Sequence, residues 1–243
     1  MDLMGGQAVH AIKGERENYQ PVRSALCATS DPLELARAFR DKLGLNEIYI
    51  ADLGAIQGSD EICHRELIRA LARREKMNVL LDAGVADVEN AHAWLELGVS
   101  RIVIGSETLR DLKLLQEFPA RVDRNRLSFS IDLRGGKTLS RCPDLAAMPP
   151  MRILQYLSSS GWQEVILLNL SRVGSGEGAD RTLPVDARAR FPDMSLLIGG
   201  GIAGPEELIE LKSLGIAGVL TATALHRGTI MAQHLSAATE SPA

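Results

Sequence analysis

Aromatic side chains are scarce in this sequence, at 4% of 243 residues against 45% hydrophobic residues overall, so its core must be built from aliphatic side chains. Cysteine is scarcer still. Cys27, Cys63 and Cys142 are odd in number and form no Cys-x-x-Cys pair, which argues against a disulfide framework and against a cysteine-based zinc site. The neighbours Cys63 and His64 have no further ligands at metal spacing, so no metal is expected. Positive charge is not in excess: the net charge is −4, with Lys and Arg scattered along the chain, and nucleic acid is not an expected partner. No apolar run approaches the roughly 18 residues of a membrane span, and no signal-peptide pattern precedes the first motif. A membrane partner is not expected, and a reducing cytoplasm is the expected location.

What the chain does have is a series of short apolar runs, NEIYIADL, NVLLDAG, SRIVIGS, LSFSIDL, EVILLNL, SLLIGGG and AGVLTAT, separated by longer amphipathic stretches. Continuous apolar runs indicate strands covered on both faces, hence a parallel sheet with helices outside. Helix signals fit between them. Asp31-Pro32-Leu33-Glu34 reads as an N-cap, a proline at the first helical position and a capping-box Glu, and the pattern then runs to a stop at Gly44.

The sequence also repeats itself. Gly161 lies 117 positions after Gly44, and the same interval separates Glu164 from Glu47, Gly201 from Gly84 and Gly215 from Gly98. Upstream, DLMGGQ at 2–7 matches DLRGGK at 132–137. Two copies of a four-strand unit closing on each other predict an α/β fold of the (β/α)8 TIM-barrel type, built from two half-barrel repeats. An open doubly wound sheet is the other fold compatible with the pattern, but it does not predict the repeat. The expected organisation is one domain over 1–243, with half-barrels at about 1–121 and 122–235 and a disordered tail at 236–243.

In such a barrel the reactive groups lie at the C-terminal ends of the strands and in the loops after them. Asp2 and Asp132 hold matched positions on the first and fifth strands, each before Leu-x-Gly-Gly, and would face each other across the mouth. Such a pair can divide the work of a general acid and a general base, although each Asp could instead cap its glycine turn. Asp52 and Asn169 are matched on the second and sixth strands and are candidate substrate contacts, or alternatively satisfy loop backbone groups. Gly199, Gly200 and Gly201 after the seventh strand form a candidate phosphate cradle, completed by Thr221, Ala222 and Thr223 of the eighth. In the first half Asp82 takes the place of Gly199 and sets a carboxylate where an anion would sit. Gly105 and Ser106, followed by Thr108, offer a second, degraded phosphate site. The glycine-rich segment SRVGSGEGADR at 171–181 reads as a mobile lid or a plain surface loop. None of the five histidines is assigned catalysis; His10 and His226 lie nearest the expected mouth.

On these residues the chain resembles the paired histidine-biosynthesis barrels, ProFAR isomerase and the cyclase subunit of imidazole glycerol phosphate synthase. DLMGGQAVHAIKGEREN, SDPLELARAF, ADLGAIQG, VIGS, IDLRGGK and LIGGGI fall in the family's order and cover nearly the whole chain. The resemblance implies an Amadori rearrangement of an aminoaldose phosphate to an aminoketose phosphate. Asp2 and Asp132 would carry it as acid and base, without a cofactor, on a small phosphorylated metabolite held by two phosphate cradles. It also implies departures. The family's third-strand glycine triplet and following Ile-Arg have become Asp82-Ala83-Gly84-Val85-Ala86. The sixth-strand Thr-Asp-Ile-x-x-Asp-Gly reads Leu168-Asn169-Leu170-Ser171-Arg172-Val173-Gly174, and the Gly-Trp after strand five is absent. The expected protein is thus a divergent isomerase-like paralogue. A paralogue of unassigned activity linked to pterin-dependent one-carbon metabolism and a non-catalytic phosphate-ligand binder are the alternatives. A cyclase with a glutaminase partner is not expected, because the hairpin after Asp2 resembles the isomerase.

The second copy places five residues of strand, LSFSI, before Asp132, whereas only Met1 precedes Asp2. The comparison leads us to expect a truncated first strand, a natural start upstream of Met1, and exposed edges on the second and eighth strands.

Overall fold

The computed structural model describes residues 1–58 and 64–239. Each apolar run forms a strand: β1 (Asp2–Met4), β4 (Glu47–Asp52), β5 (Asn78–Asp82), β6 (Arg101–Gly105), β7 (Leu127–Arg134), β9 (Glu164–Asn169), β10 (Ser195–Gly199) and β11 (Gly218–Leu220). These eight pair in parallel, each with the next. Three short antiparallel strands, β2 (Gln7–His10), β3 (Gln20–Pro21) and β8 (Lys137–Thr138), fold back on β1 and β7. The curled, mostly parallel sheet with helices outside is the (β/α)8 architecture that the repeat predicts. Among the described residues no helix is long and apolar enough to cross a membrane.

The helices begin and end where the chain supplies caps. Asp31 accepts the Leu33 and Glu34 amides at 2.9 Å each, Pro32 sets the first turn of the helix Pro32–Leu43, and Gly44 ends it at φ +71°. Its Leu35, Ala36, Phe39 and Leu43 face the core. The last helix, Ala232–Thr239, runs through much of the stretch expected to be a disordered tail. Leu235 and Ala238 pack against the hydrophobic core, and burial of that face holds the segment helical. Residues 240–243 lie outside the described residues.

Strand pleating sorts the side chains into two sets. Ile48, Ile50, Val79, Leu81, Ile102, Ile104, Phe129, Ile131, Val165, Leu167, Leu196 and Ile198 pack outward into the core shared with the helices. Leu80, Val103, Ile166 and Leu197 point inward with Tyr49, Leu168 and Leu220. The 117-residue repeat is visible in this inner layer, where Tyr49 matches Ile166, Leu80 matches Leu197 and Val103 matches Leu220. Below it, Arg101 bridges the repeat-equivalent carboxylates Glu47 and Glu164 at 2.7 and 2.8 Å, and Ser128 also bonds Glu164. The N-terminal end of the barrel is thus closed by a polar plug.

Closure is incomplete at one seam. β1 has three residues where β7 has eight; its ladder to β4 sets Asp2 beside Ala51 and Leu3 beside Asp52, and Met1 extends it by donating to the Tyr49 carbonyl at 2.7 Å and accepting the Ala51 amide at 3.0 Å. Among the described residues no ladder joins β11 to β1. A cavity of about 930 Å³ runs from Asp2, Asp132 and Glu107 at the mouth down to Glu47 and Arg101, and passes the wall beside Phe39, Leu45 and Leu235. Of the two edges expected to be exposed, on the second and eighth barrel strands, that of β4 is taken from Tyr49 to Asp52 by β1 and Met1, while among the described residues β11 has a ladder with β10 alone.

Candidate active site

Both Leu-x-Gly-Gly motifs are two-residue hairpins. Gly5 and Gly6 have φ of +57° and +77°, and Gly135 and Gly136 have +57° and +76°, the left-handed pair that a type I′ turn requires. The turns carry β2 and β8 back over the mouth, and the residues before them, Asp2 and Asp132, fall on the inward pleat. Both line the cavity.

Asp132 is 4% exposed and tightly held. Its Oδ1 accepts the Ser130 hydroxyl at 2.7 Å, and its Oδ2 lies 3.1 Å from both the Ser106 Oγ and the Glu107 amide nitrogen. Burial pushes its carboxyl up to about 6, against the downward pull of the Ser130 hydroxyl and the Glu107 amide. Burial likewise raises the Asp2 carboxyl above its ordinary value, while the N-terminal ammonium of Met1, then Arg16 and His10, draw it down. Arg16 reaches over the mouth to pair with Glu107 at 2.7 Å.

Asp82, the third inward carboxylate, lines the same cavity at 8% exposure. Its Oδ1 accepts the Gly84 amide at 3.2 Å, and the Tyr49 hydroxyl lies 3.4 Å from Oδ2. Burial first, and then the negative charge of Asp132, push its carboxyl up to about 7. Gly105 lies between the two acids: a Cβ there would sit 3.4 Å from Asp82 Oδ2 and 3.5 Å from Asp132 Oδ2.

Several expected contacts move. Asp52 and Asn169 fall on the outward pleat, one residue out of step with the inward acids, and neither lines the cavity. Asp52, wholly buried, accepts the Ala55 amide at 3.2 Å, the His64 amide at 2.9 Å and the His64 Nδ1–H at 2.9 Å, while His64 Nε2 accepts the Gly6 amide at 2.9 Å. That chain pins the hairpin after Asp2 and uses both ring nitrogens of His64; Cys63 lies outside the described residues. Asn169 faces a small gap beside Asp180, Leu183 and Pro184, and its buried Oδ1 has no hydrogen-bond partner. Ser106 is fully buried beneath Asp132, whose amide it accepts at 2.9 Å. Gly105 and Ser106 therefore serve the carboxylates and do not form a second anion site.

The seventh- and eighth-strand cradle assembles in part. Gly200, Gly201, Thr221, Ala222 and Thr223 line the cavity together, with Thr223 Oγ1 3.2 Å from His10 Nε2. Gly199 does not join them, because it borders the outer gap with Asn169. The glycines are required first by the backbone: a Cβ on Gly200 would lie 2.3 Å from the Asn169 carbonyl oxygen, and one on Gly201 2.7 Å from that of Gly178. The expected lid is stitched down. Lys13 N donates to Val173 O at 3.0 Å, Gly178 N to Gly201 O at 2.8 Å, and Ala179 N to the buried Glu207 carboxylate at 2.6 Å. His226 is buried and bonds Ser24 at 3.0 Å, and burial lowers its pKa to about 4.

The groups that sequence reasoning missed are Ser130, Glu107, Arg16 and Tyr49. Ser130 alone carried a signal, since it stands two residues before Asp132 on the same pleat. The others come to the mouth only through loops and strand register. Among the described residues no group of three or more His, Cys, Asp or Glu is placed to hold a metal ion.

The family model described as histidine biosynthesis protein matches residues 1–231. A ProFAR isomerase of Thermus thermophilus is 30% identical over 231 residues, covering 95% of this chain and 94% of that enzyme. An uncharacterized protein of Methanocaldococcus jannaschii is 30% identical over 233 residues, covering 95% and 92%. The corresponding isomerase of Acidiphilium cryptum is 28% identical over 239 residues, covering 95% and 92%. With a family match over almost its full length, the chain belongs to the histidine biosynthesis protein family.

Proposed function

We propose that this protein is an isomerase that acts on a phosphorylated sugar or related metabolite by aldose–ketose chemistry, with Asp2 as acid and Asp132 as base. One observation carries the reading: the buried Asp132 and the half-buried Asp2, both with carboxyls raised above their ordinary values, face one cavity whose rim holds Gly200, Gly201 and Thr221 to Thr223. Three donors surround Asp132 and keep it ionised at neutral pH, which suits a base. Asp2, raised by burial and facing the same cavity, is placed to serve as the acid partner.

In the reaction the substrate's ring nitrogen substituent pushes electrons towards C1 as the C1–O bond breaks, and Asp2 gives the ring oxygen its proton. An open-chain iminium results. Asp132 then removes the C2 proton; the C–H electrons form a C1=C2 bond, and the C=N pair returns to nitrogen. Protonation at C1 and loss of the C2 hydroxyl proton complete the ketone. Ser130, Ser106 and the Glu107 amide fix the Asp132 carboxylate for this step. The name of the Thermus enzyme specifies a substrate with two 5-phosphoribosyl groups, and that compound is the first to test.

The test is turnover of the aminoaldose phosphate by purified protein, compared with Asp132→Asn, alongside rescue of a histidine auxotroph that lacks the isomerase. Turnover that falls by about 10²- to 10⁴-fold in Asp132→Asn supports the reading. Rescue assigns the relatives' own substrate. Tight binding of sugar phosphates with no turnover across a substrate panel would replace the enzyme by a phosphate-ligand binder.

A further inference from the structure

Asp82 is the repeat equivalent of Gly199, and Gly84 is the equivalent of Gly201. The two halves therefore offer the same backbone position with opposite chemistry. At β10 the mouth meets open glycine backbone, with Gly200 and Gly201 on the cavity wall. At β5 the loop amide that could greet an anion is already taken, since Gly84 N donates to Asp82 Oδ1 at 3.2 Å. The turn is also closed from behind: a Cβ on Gly84 would lie 3.0 Å from Ile56 Cα and 3.2 Å from the Ala55 carbonyl oxygen.

The charge around Asp82 points the same way. Its pleat position aims the carboxylate into the cavity, yet the ionisable neighbours that act on it are Asp132, Glu107 and Tyr49, none of them cationic. The Tyr49 hydroxyl at 3.4 Å is a long contact and leaves Oδ2 lone pairs directed at the cavity. A buried carboxylate that no cation among the described residues neutralises is stabilised by a donor, and most by a cation, brought in by a ligand.

We propose that Asp82 is the specificity-determining residue of this mouth: it selects a substrate with a single phosphate, held at β10 and β11, whose other end presents an amine or hydroxyl to the third barrel strand. The proposal rests on the phosphorylated-metabolite reading above and narrows it: turnover of the two-phosphoribosyl compound would support that reading and overturn this proposal. A second phosphate at β5 would face like charge at short range, while an ammonium group would complete an ion pair inside a low-dielectric wall.

The experiment is calorimetric titration of the wild type, Asp82→Asn and Asp82→Gly with glucosamine 6-phosphate, glucose 6-phosphate and fructose 1,6-bisphosphate, each variant first shown to be folded by circular dichroism. The wild type should bind the amino sugar phosphate tightest and the bisphosphate weakest. In Asp82→Asn that ratio should fall by about tenfold or more through loss of the charge pair, and Asp82→Gly should give the bisphosphate its largest gain. A wild type that binds the bisphosphate as tightly as the monophosphates, or a ratio unchanged in both variants, overturns the role of Asp82 and leaves the phosphate cradle standing. No binding of any of the three overturns the phosphorylated-metabolite reading and this proposal with it.

Discussion

Replacing Asp82 by Asn should make the protein more stable at pH 8 and, because the imperfectly paired amide is then not offset, less stable by about 1 kcal/mol at pH 4. The carboxyl has a pKa of 3.8 when exposed and about 7 in the fold, where burial and Asp132 oppose its ionisation. Between those values the folded protein holds a proton that the unfolded chain has lost. Stability therefore falls as pH rises, by about 1.36 kcal/mol per pH unit. Over about three units the cost reaches about 4 kcal/mol, fully present at pH 8 and absent below pH 3.8. Asn has nearly the same shape and can still accept the Gly84 amide, so most of the cost is relieved. Allowing about 1–2 kcal/mol for the imperfectly paired amide group, the expected gain at pH 8 is about 2–3 kcal/mol, or roughly 5–10 °C for a chain of this size. Urea denaturation followed by circular dichroism at both pH values measures the difference. An equal gain at pH 4 and pH 8, or a loss at pH 8, would refute the claim that an ionised, uncompensated carboxylate stands at this position.

Three further changes test other parts of the structure. Ser130→Ala removes the hydroxyl that holds the Asp132 carboxyl down, so the acidic limb of the kcat/KM profile should move to higher pH; an unmoved limb would separate Asp132 from the observed ionisation. Gly200→Ala places a methyl 2.3 Å from the Asn169 carbonyl oxygen at a φ of +101°, and should destabilise by about 2 kcal/mol or more, read as a lower urea midpoint. Arg101→Met strips the cation from Glu164, which is 14% exposed. A loss of about 2 kcal/mol is expected, since removing one partner of a largely buried pair leaves the other charge uncompensated, and a neutral result would make the plug ornamental to stability.

The departures of Asp52 and Asn169 from their expected place show where one-dimensional reading stops. They match each other across the repeat as well as Asp2 and Asp132 do, and nothing in their motifs marks them as different. The pleat decides. Counting inward positions from Tyr49 gives Ala51 and then a step past the strand end, so Asp52 points to the helices and supports His64. Counting from Ile166 gives Leu168 and leaves Asn169 outside. The interval of two could have been applied to the sequence, but only once the inward residue of each strand was known, and that depends on which face meets the barrel axis.

The sequence alone determined the seven apolar runs, the half-barrel repeat, the glycine turns after Asp2 and Asp132 and the membership of those two acids in one mouth. These follow from local chemistry and periodicity: glycine pairs specify turns, β-branched runs specify buried strands, and a matched interval places equivalent residues in equivalent positions. Only the tertiary structure decided that Asp82 shares the cavity with Asp132 across Gly105, that Ser106 supports a carboxylate and not an anion, that the glycine-rich segment is tied to Gly201 and Glu207, and that the wall stands open beside β1. Those outcomes depend on distances between residues far apart in the chain, set by strand register and barrel curvature, which no local pattern encodes.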